Sequence, residues 1–394
     1  MSESSVSSST ETSIDTTTRR KSLCSFANFL VISLVLPVVL AVVVYQVDPF
    51  NPAPYPAHEL TQKKPLAVPK RNAQVLKGAE KIGVGELLGP EDIAYDPKSG
   101  KLYTGCADGW IKRVRVSESA ADSVVENWLN TGGRPLGLVL GLHGELIIAD
   151  ADKGLLNATE NGEIQLLTDE ADGTKFKLTD GVDISEDGII YFTDASSKYS
   201  ISEVARDSFE GRPYGRFLSY NPSTKVTQVL VRDLYFANGV AVSPDQDFVI
   251  FCETRMRRCK RYYLKGERKG SVDTFVDSLP GMPDNIRYDG EGQYWIALTM
   301  EVTYALELVQ RHAFIRKIMA IAGKYLDRPA PRLLQKNGGA FAVDLEGKPT
   351  ARYYDHDLAL VTGVVKIENY IYFGFIIKPY LIRLNMEQNP AVIP

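Results

Sequence analysis

The sequence predicts an all-β fold, a six-bladed β-propeller with helical insertions, preceded by an N-terminal transmembrane helix. Three observations carry this. One strand–turn–strand pattern occurs six times, further strands follow each copy to complete units of four, and one apolar run stands apart from the folded part.

The repeated pattern is a short polar pair, alternating apolar residues, a turn, and an apolar strand. It begins at Pro90 (PEDIAYDPKSGKLYTG), Pro135 (PLGLVLGLHGELIIAD), Thr179 (TDGVDISEDGIIYFTD), Ala237 (ANGVAVSPDQDFVIFCE), Pro283 (PDNIRYDGEGQYWIAL) and Val361 (VTGVVKIENYIYFGF). Each copy alternates with period two on both sides of a turn rich in Gly, Pro, Asp or Asn, the signature of a β-hairpin. Stretches such as GWIKRVRV and TKVTQVLV supply the outer strands. Radial repetition of four-stranded units makes a propeller; a β-sandwich, with shorter and less regular spacing, ranks second.

Four intervals between copies are 44 to 58 residues, and the fifth is 78. The stretched interval holds Glu301–Leu326, where Leu306, Val309, Ala313, Ile315, Ile318 and Ile321 follow a nearly helical rhythm among Arg311, Arg316, Lys317 and Lys324. This reads as helices that cap the propeller, or as a lid that also touches membrane. A second insertion, 196–215, interrupts the third blade.

Residues 1–21 contain twelve Ser or Thr and read as a disordered cytosolic tail. Between Lys21 and Asp48 lie 26 residues without a charge, and 29–45 is almost wholly apolar, close to the length of about 20 that a bilayer requires. Arg19, Arg20 and Lys21 precede the run, which orients the N-terminus to the cytosol and the rest to a lumen. An uncleaved anchor over 22–47 is favoured over a signal peptide, because the apolar core is long and no A-x-A site follows. Six prolines within 48–70 suggest a stiff stalk over 48–74, with the propeller occupying 75–394.

A lumenal propeller would expose the sequon Asn157-Ala158-Thr159 as a glycosylation acceptor in a surface loop. Cys252 and Cys259 flank Arg255-Met256 at equal distances, and a tight hairpin would set them opposite each other. They read either as a disulfide of an oxidising compartment or as two free thiols in neighbouring strands. The net charge of −4 gives no reason to expect a nucleic-acid partner.

In a propeller, residues at the start of every innermost strand converge on the central axis. The second residues of the six copies are Glu91, Leu136, Asp180, Asn238, Asp284 and Thr362, with Asp92 and Asn285 following two of them. Carboxylates gathered there repel one another and lose hydration, so they need a cation, a proton or buried partners. Oxygen donors from Asp, Glu and Asn suit a hard divalent cation, Ca²⁺ or Mg²⁺, rather than Zn²⁺. Turn chemistry accounts for Asp180-Gly181 or Asn238-Gly239 taken singly. It does not account for polar residues at one repeat position in four blades.

The stretches LLGPEDIAYD, FANGVAVSPD and LPGMPDNIRYD resemble the strictosidine synthase-like family and its animal relative, the adipocyte plasma membrane-associated protein, within the larger group of paraoxonase and gluconolactonase propellers. The resemblance runs from about Val75 to Leu384. It implies metal ligation by Glu91, Asn238 and Asp284, with Asn285 as a further calcium ligand and Asp92 and Asp180 at a second, structural calcium. Thr179 falls where those hydrolases usually carry an Asn that binds the ion or the substrate. Two departures limit the carry-over. Leu136 stands where a paraoxonase-like catalytic His would fall. The sixth blade has no Glu between His356 and Lys366, so the general base of a Pictet–Spengler condensation is missing.

No G-x-S-x-G, H-E-x-x-H, P-loop or Rossmann glycine pattern occurs. The leading expectation is therefore an anchored lumenal hydrolase of small esters or lactones. Its cofactor would be a divalent cation, best matched by Ca²⁺, with Glu91 and Asp284 positioning or deprotonating water. The endoplasmic reticulum or the vacuole would house it. The alternative is a propeller without catalysis that binds a ligand or partner at its channel mouth; an alkaloid-forming synthase comes third.

Overall fold

The computed structural model describes residues 31–56, 64–326 and 335–393. It divides into two compact units, 1–50 and 51–394. In the first, a π-helical turn Val31–Val35 leads into an α-helix, Leu36–Val47, whose last turn closes with the Asp48 N–H donating to the Val44 carbonyl at 3.0 Å. Among the described residues no helix is long and apolar enough to cross a membrane. The tail expected over 1–21 and the first nine residues of the expected anchor lie outside the described residues.

The second unit is a six-bladed β-propeller, mostly β with a few helices. The six innermost strands are Ile93–Asp96, Pro135–Leu140, Thr179–Ile184, Ala237–Val242, Gly281–Tyr288 and Val361–Ile367. Each opens an antiparallel sheet, and these strands coincide with the six sequence repeats. Alternation explains the packing. In the third blade Phe192 and Leu218 face the second blade, where they meet Ile147, Ala149 and Leu155. Their neighbours Tyr191 and Phe217 face the fourth, where Phe217 stacks on Phe251 with centroids 4.7 Å apart. Both faces of every blade are thus buried, which is why so many second strands read as unbroken apolar runs.

The ring closes through the N-terminus. Ala79–Ile82 pairs antiparallel with Leu381–Asn385 as the outermost strand of the sixth blade. Lys70–Asn72 adds a parallel fifth strand to the fifth blade, against Pro349–Tyr354. This corrects the expected stalk. Residues 64–72 are laid along the propeller, with Leu66 donating its N–H to Ser278 and packing beside Val68 on the core of the fourth and fifth blades. The prolines forbid ladder donors only at their own positions, so the residues between them still pair.

Both insertions are helical. The third-blade insertion forms a short helix, Val204–Glu210, ended by Gly211 in the left-handed region at φ 68°. The fifth-blade insertion forms Tyr304–Arg311 and Ala313–Leu326, the first capped by the Thr303 hydroxyl accepting from the Leu306 N–H. Cys252 and Cys259 sit opposite each other in the fourth-blade hairpin and are joined as a disulfide, with Cα atoms 3.9 Å apart. Asn157 departs from expectation. It lies inside the strand Gly154–Ala158, laddered on both sides, with its amide oxygen buried, and so does not occupy the exposed loop a glycan acceptor needs.

Candidate metal centre

Four of the six inner strands begin with a glycine one residue after the axis position: Gly137, Gly181, Gly239 and Gly363. A methyl group at Gly239 would lie 2.5 Å from the Asp284 carbonyl oxygen; at Gly181, 2.6 Å from that of Asn238; at Gly137, 2.3 Å from that of Asp180; and at Gly363, 2.5 Å from that of Glu91. Each glycine therefore admits the backbone of the next blade. The contact packs the inner strands tightly enough to bring their polar side chains together. Threonine hydroxyls satisfy the carbonyls at this junction: Thr193 donates to Asn238 at 2.8 Å, Thr254 to Pro283 at 2.8 Å, and Thr362 to Glu91 at 2.9 Å.

The result is a buried cluster in which carboxylate oxygens of Glu91, Asp180 and Asp284 all lie within 4.8 Å of one another. Asn238 joins them, its amide nitrogen donating to the Thr254 hydroxyl at 3.3 Å, which leaves the oxygen to the other side. Asp180 Oδ1, Asn238 Oδ1, Asp284 Oδ1 and Thr179 Oγ1 are buried and find no hydrogen-bond partner among the described residues. Burial is the first cause that pushes these acids up. Asp180 rises to about 8, with Asp92 adding to it. Glu91 and Asp284 rise well above the ordinary carboxylate range, each reinforced by the other acids of the cluster. Orphaned oxygens from one neutral amide and two acids, gathered in a buried cluster with the Glu91 carboxylate, fit a hard divalent cation.

Asn285 meets the cluster through its amide nitrogen, which donates to Glu91 Oε1 at 3.1 Å and Oε2 at 3.2 Å, so it orients the carboxylate. Asp92 and Asp180, expected at a second ion, have different surroundings. Asp180 belongs to the central cluster, while Asp92 Oδ2 accepts from the Leu138 N–H at 3.0 Å and pairs with Arg287. Arg287 also donates to the carbonyls of Val182 at 3.1 Å and Leu138 at 2.7 Å. Arg287 thus sets a fixed positive charge on Asp92 Oδ2, while Asp92 Oδ1 is buried without a partner among the described residues.

Leu136 packs with Ala151, Leu178, Ala195 and Phe236, an apolar wall beside the cluster. His143, His312 and His356 are all exposed, so the described residues provide no imidazole at the axis. In the sixth blade Leu358 and Val361 are core residues, and the acid in that stretch, Asp357, is 83% exposed at its side chain and pairs with His356.

Two features lie outside the repeat's axis positions. Arg134 donates to the Gly89 carbonyl at 2.9 Å and offsets the charge of Glu91. Acids ending the second strands hold the loops that lead into the inner strands. Asp150 accepts from Arg134 N–H, Asp194 from Leu178 N–H, and Glu253 from Tyr235 N–H, at 3.0 to 3.1 Å. The signal was visible as the repeated endings IIAD, YFTD and IFCE. Asp194 and Glu253 are further neutralised by Arg216 and Arg258, so these acids serve the fold rather than the channel.

Comparison with known proteins agrees with this architecture. The strictosidine synthase family model matches residues 180–267, and that of the strictosidine synthase-like N-terminal region matches residues 71–114. Among solved structures, a gluconolactonase from Xanthomonas campestris superposes with a TM-score of 0.56 at 14% identity, over 86% of this chain and 99% of that one, a likeness of fold. The adipocyte plasma membrane-associated protein of Rattus norvegicus is 33% identical over 79% of this chain and 87% of its own length. Protein STRICTOSIDINE SYNTHASE-LIKE 4 of Arabidopsis thaliana is 50% identical over 364 residues, 92% of this chain and 97% of that protein. The chain belongs to the strictosidine synthase-like family.

Proposed function

We propose that this propeller is a divalent-cation-dependent hydrolase of small esters or lactones, held at a membrane by its N-terminal apolar segment. The observation that carries the reading is the set of buried oxygens of Asp180, Asn238 and Asp284 that find no partner among the described residues, gathered with Glu91. Glu91, Asn238 and Asp284 would hold the ion, with Asp180 beside them; Ca²⁺ suits four oxygen donors in a protein-lined site. Bound there, a divalent cation supplies a Lewis acid for the carbonyl oxygen and lowers the pKa of water.

The chain's own residues divide the remaining work. Asn285 holds both oxygens of Glu91, which makes Glu91 the fixed member. Asp284 keeps Oδ1 without a partner among the described residues, so it is the group placed to take a proton from water once the cluster is ionised. The Thr179 hydroxyl, likewise buried without a partner among the described residues, would orient a substrate oxygen. Leu136, Leu178 and Phe236 offer an apolar wall to the acyl part and exclude water from it. The exposed Asp357 and the threonine at 362, which donates to the Glu91 backbone, give no support to an amine-activating base in the sixth blade.

The membrane reading is supported by the uncharged run between Lys21 and Asp48 and by the positive cluster before it. It places the propeller on the lumenal side of the secretory pathway, in the endoplasmic reticulum or vacuole. The hydrolase reading is tested by aryl-ester and lactone turnover of the purified protein. Activity should vanish with chelator, return with Ca²⁺, and be absent from Asp284→Asn. Chelator-sensitive melting without turnover of any ester or lactone would instead assign the ion a structural role and leave a ligand-binding propeller.

A further inference from the structure

We propose that Arg255 anchors an anionic group of the substrate at the channel mouth, so that the esters or lactones taken by this site carry a carboxylate. This names the substrate class of the site described above, and it depends on the hydrolase reading only for the reacting carbonyl.

The position of Arg255 follows from a short turn. Thr254–Met256 joins the second and third strands of the fourth blade, Phe248–Glu253 and Arg258–Tyr263. Arg257 closes it in the left-handed region at φ 55°. The disulfide between Cys252 and Cys259 clamps the two strands just below this turn. The turn is laid on the segment that enters the inner strand. The Thr254 N–H donates to the Phe236 carbonyl at 3.0 Å, and the Arg255 N–H to that of Tyr235 at 3.3 Å. The Thr254 hydroxyl accepts from the Asn238 amide at 3.3 Å, so Arg255 directly follows a residue that touches the axis cluster.

The side chain lies along the channel wall. Its guanidinium is 4.6 Å from the centre of the Phe236 ring, and Phe236 packs with Leu136 and Leu178 in the apolar wall beside the cluster. Nη1 reaches the Met282 sulfur at 4.0 Å. Met282 stands two residues, about 7 Å, ahead of Asp284 along the inner strand of the fifth blade. A carboxylate on Arg255 and a carbonyl at the axis would therefore be separated by a spacer of about four carbons.

Charge selects the ligand. A guanidinium carries five donors and no acceptor. Arg134 and Arg316 donate to backbone carbonyls, those of Gly89 at 2.9 Å and Phe209 at 3.0 Å. Arg255 has no such partner among the described residues. Its Nε is buried without an acceptor, and the thioether that meets Nη1 is a weak one. Asp207, on the helix of the third-blade insertion, has its carboxyl raised by burial, which the Arg255 charge and the Ser196 hydroxyl oppose. Burial pushes the nearby Tyr55 hydroxyl up to about 12, so it stays neutral. A half-buried guanidinium with donors to spare, on a turn clamped by a disulfide, suits a carboxylate, which takes two N–H bonds in one plane.

The test compares two ligands of one length by isothermal calorimetry on the full chain in calcium buffer: adipate, with a carboxylate at each end, and hexanoate, with one. Adipate should bind about 10–100-fold more tightly, the worth of a charge-assisted pair. Arg255→Met should erase the preference, and Arg255→Lys should keep part of it. Turnover gives a second readout. The preference in kcat/KM for the mono-para-nitrophenyl ester of adipate over para-nitrophenyl hexanoate should fall about 10–100-fold in Arg255→Met, through KM rather than kcat. Equal affinity for adipate and hexanoate in the wild-type protein would overturn the anion site, and so would a preference that survives Arg255→Met. An adipate preference lost in Arg255→Met, in a protein that turns over neither ester, would keep the anion site and sink the hydrolase reading. Turnover of both esters in a ratio indifferent to Arg255→Met would do the reverse.

Discussion

Asn285 donates from one amide nitrogen to both carboxylate oxygens of Glu91, at 3.1 and 3.2 Å, and so ties the fifth blade to the first across 194 residues of sequence. The pair fixes the rotamer of an acid that would otherwise swing in its channel. A second-sphere contact of this kind is worth about 10–100-fold in metal affinity. Asn285→Ala should weaken Ca²⁺ binding by about that factor in isothermal calorimetry while leaving the melting temperature of the calcium-saturated protein nearly unchanged. An unaltered dissociation constant would remove Asn285 from the site.

The ligands themselves should rank by charge. Asn238→Ala removes one neutral oxygen, whereas Asp284→Ala removes an oxygen and a negative charge, and affinity in oxygen sites follows both number and charge. Calcium titrations should show the larger loss for Asp284→Ala. The reverse order would place the ion away from Asp284.

The sequence carried the ring but not its internal charge balance. Six repeats located the inner strands, and their second residues located Glu91, Asp180, Asn238 and Asp284, because blade geometry maps repeat position directly onto the axis. What stayed hidden depends on side-chain direction. Asp92 and Asn285 occupy the residue after the axis position in two blades where the others carry glycine, and no spacing rule tells that one meets Arg287 and the other meets Glu91. The Pro-rich segment misled for a related reason. Composition suggested a free stalk, yet pairing of Lys70–Asn72 with the fifth blade depends on a distant partner, Ala351–Tyr353. Asn157 had the residues of a sequon, but its strand partners Ile147 and Gln165 decided its placement.

The axis glycines give a test of the register independent of any ion. Gly239→Ala would push a methyl group to 2.5 Å from the Asp284 carbonyl and 2.6 Å from the Asn285 Cα, backbone atoms that cannot swing aside. The expected cost is about 3 kcal/mol, the upper part of the range for overpacking. Gly323→Ala, in the open on the cap helix, should instead stabilise by about 0.5–1 kcal/mol. Urea unfolding of the two variants checks both signs; equal effects would contradict the packing described for the inner strands.

Removing the cation should make stability depend on pH. Asp180 has its folded pKa pushed up to about 8 from 3.8, and Glu91 and Asp284 move the same way. A raised folded pKa means the folded state holds protons the unfolded state has released. The stabilisation is therefore full below about pH 4 and is lost as pH rises through about 8. With chelator, the melting temperature should fall between pH 5 and 8; with saturating Ca²⁺ the fall should be largely abolished, because ionised carboxylates then have their counter-charge. Thermal melts across this range, with and without chelator, measure the difference, and parallel curves would contradict it.

The most direct measurement is an anomalous difference map from crystals of the protein grown with Ca²⁺. The account predicts a peak on the propeller axis with oxygens of Glu91, Asn238 and Asp284 at about 2.3–2.6 Å and Asp180 beside it. An axis without a peak, together with no calcium retained by the protein in equilibrium dialysis, would contradict the metal centre and the hydrolase reading built on it.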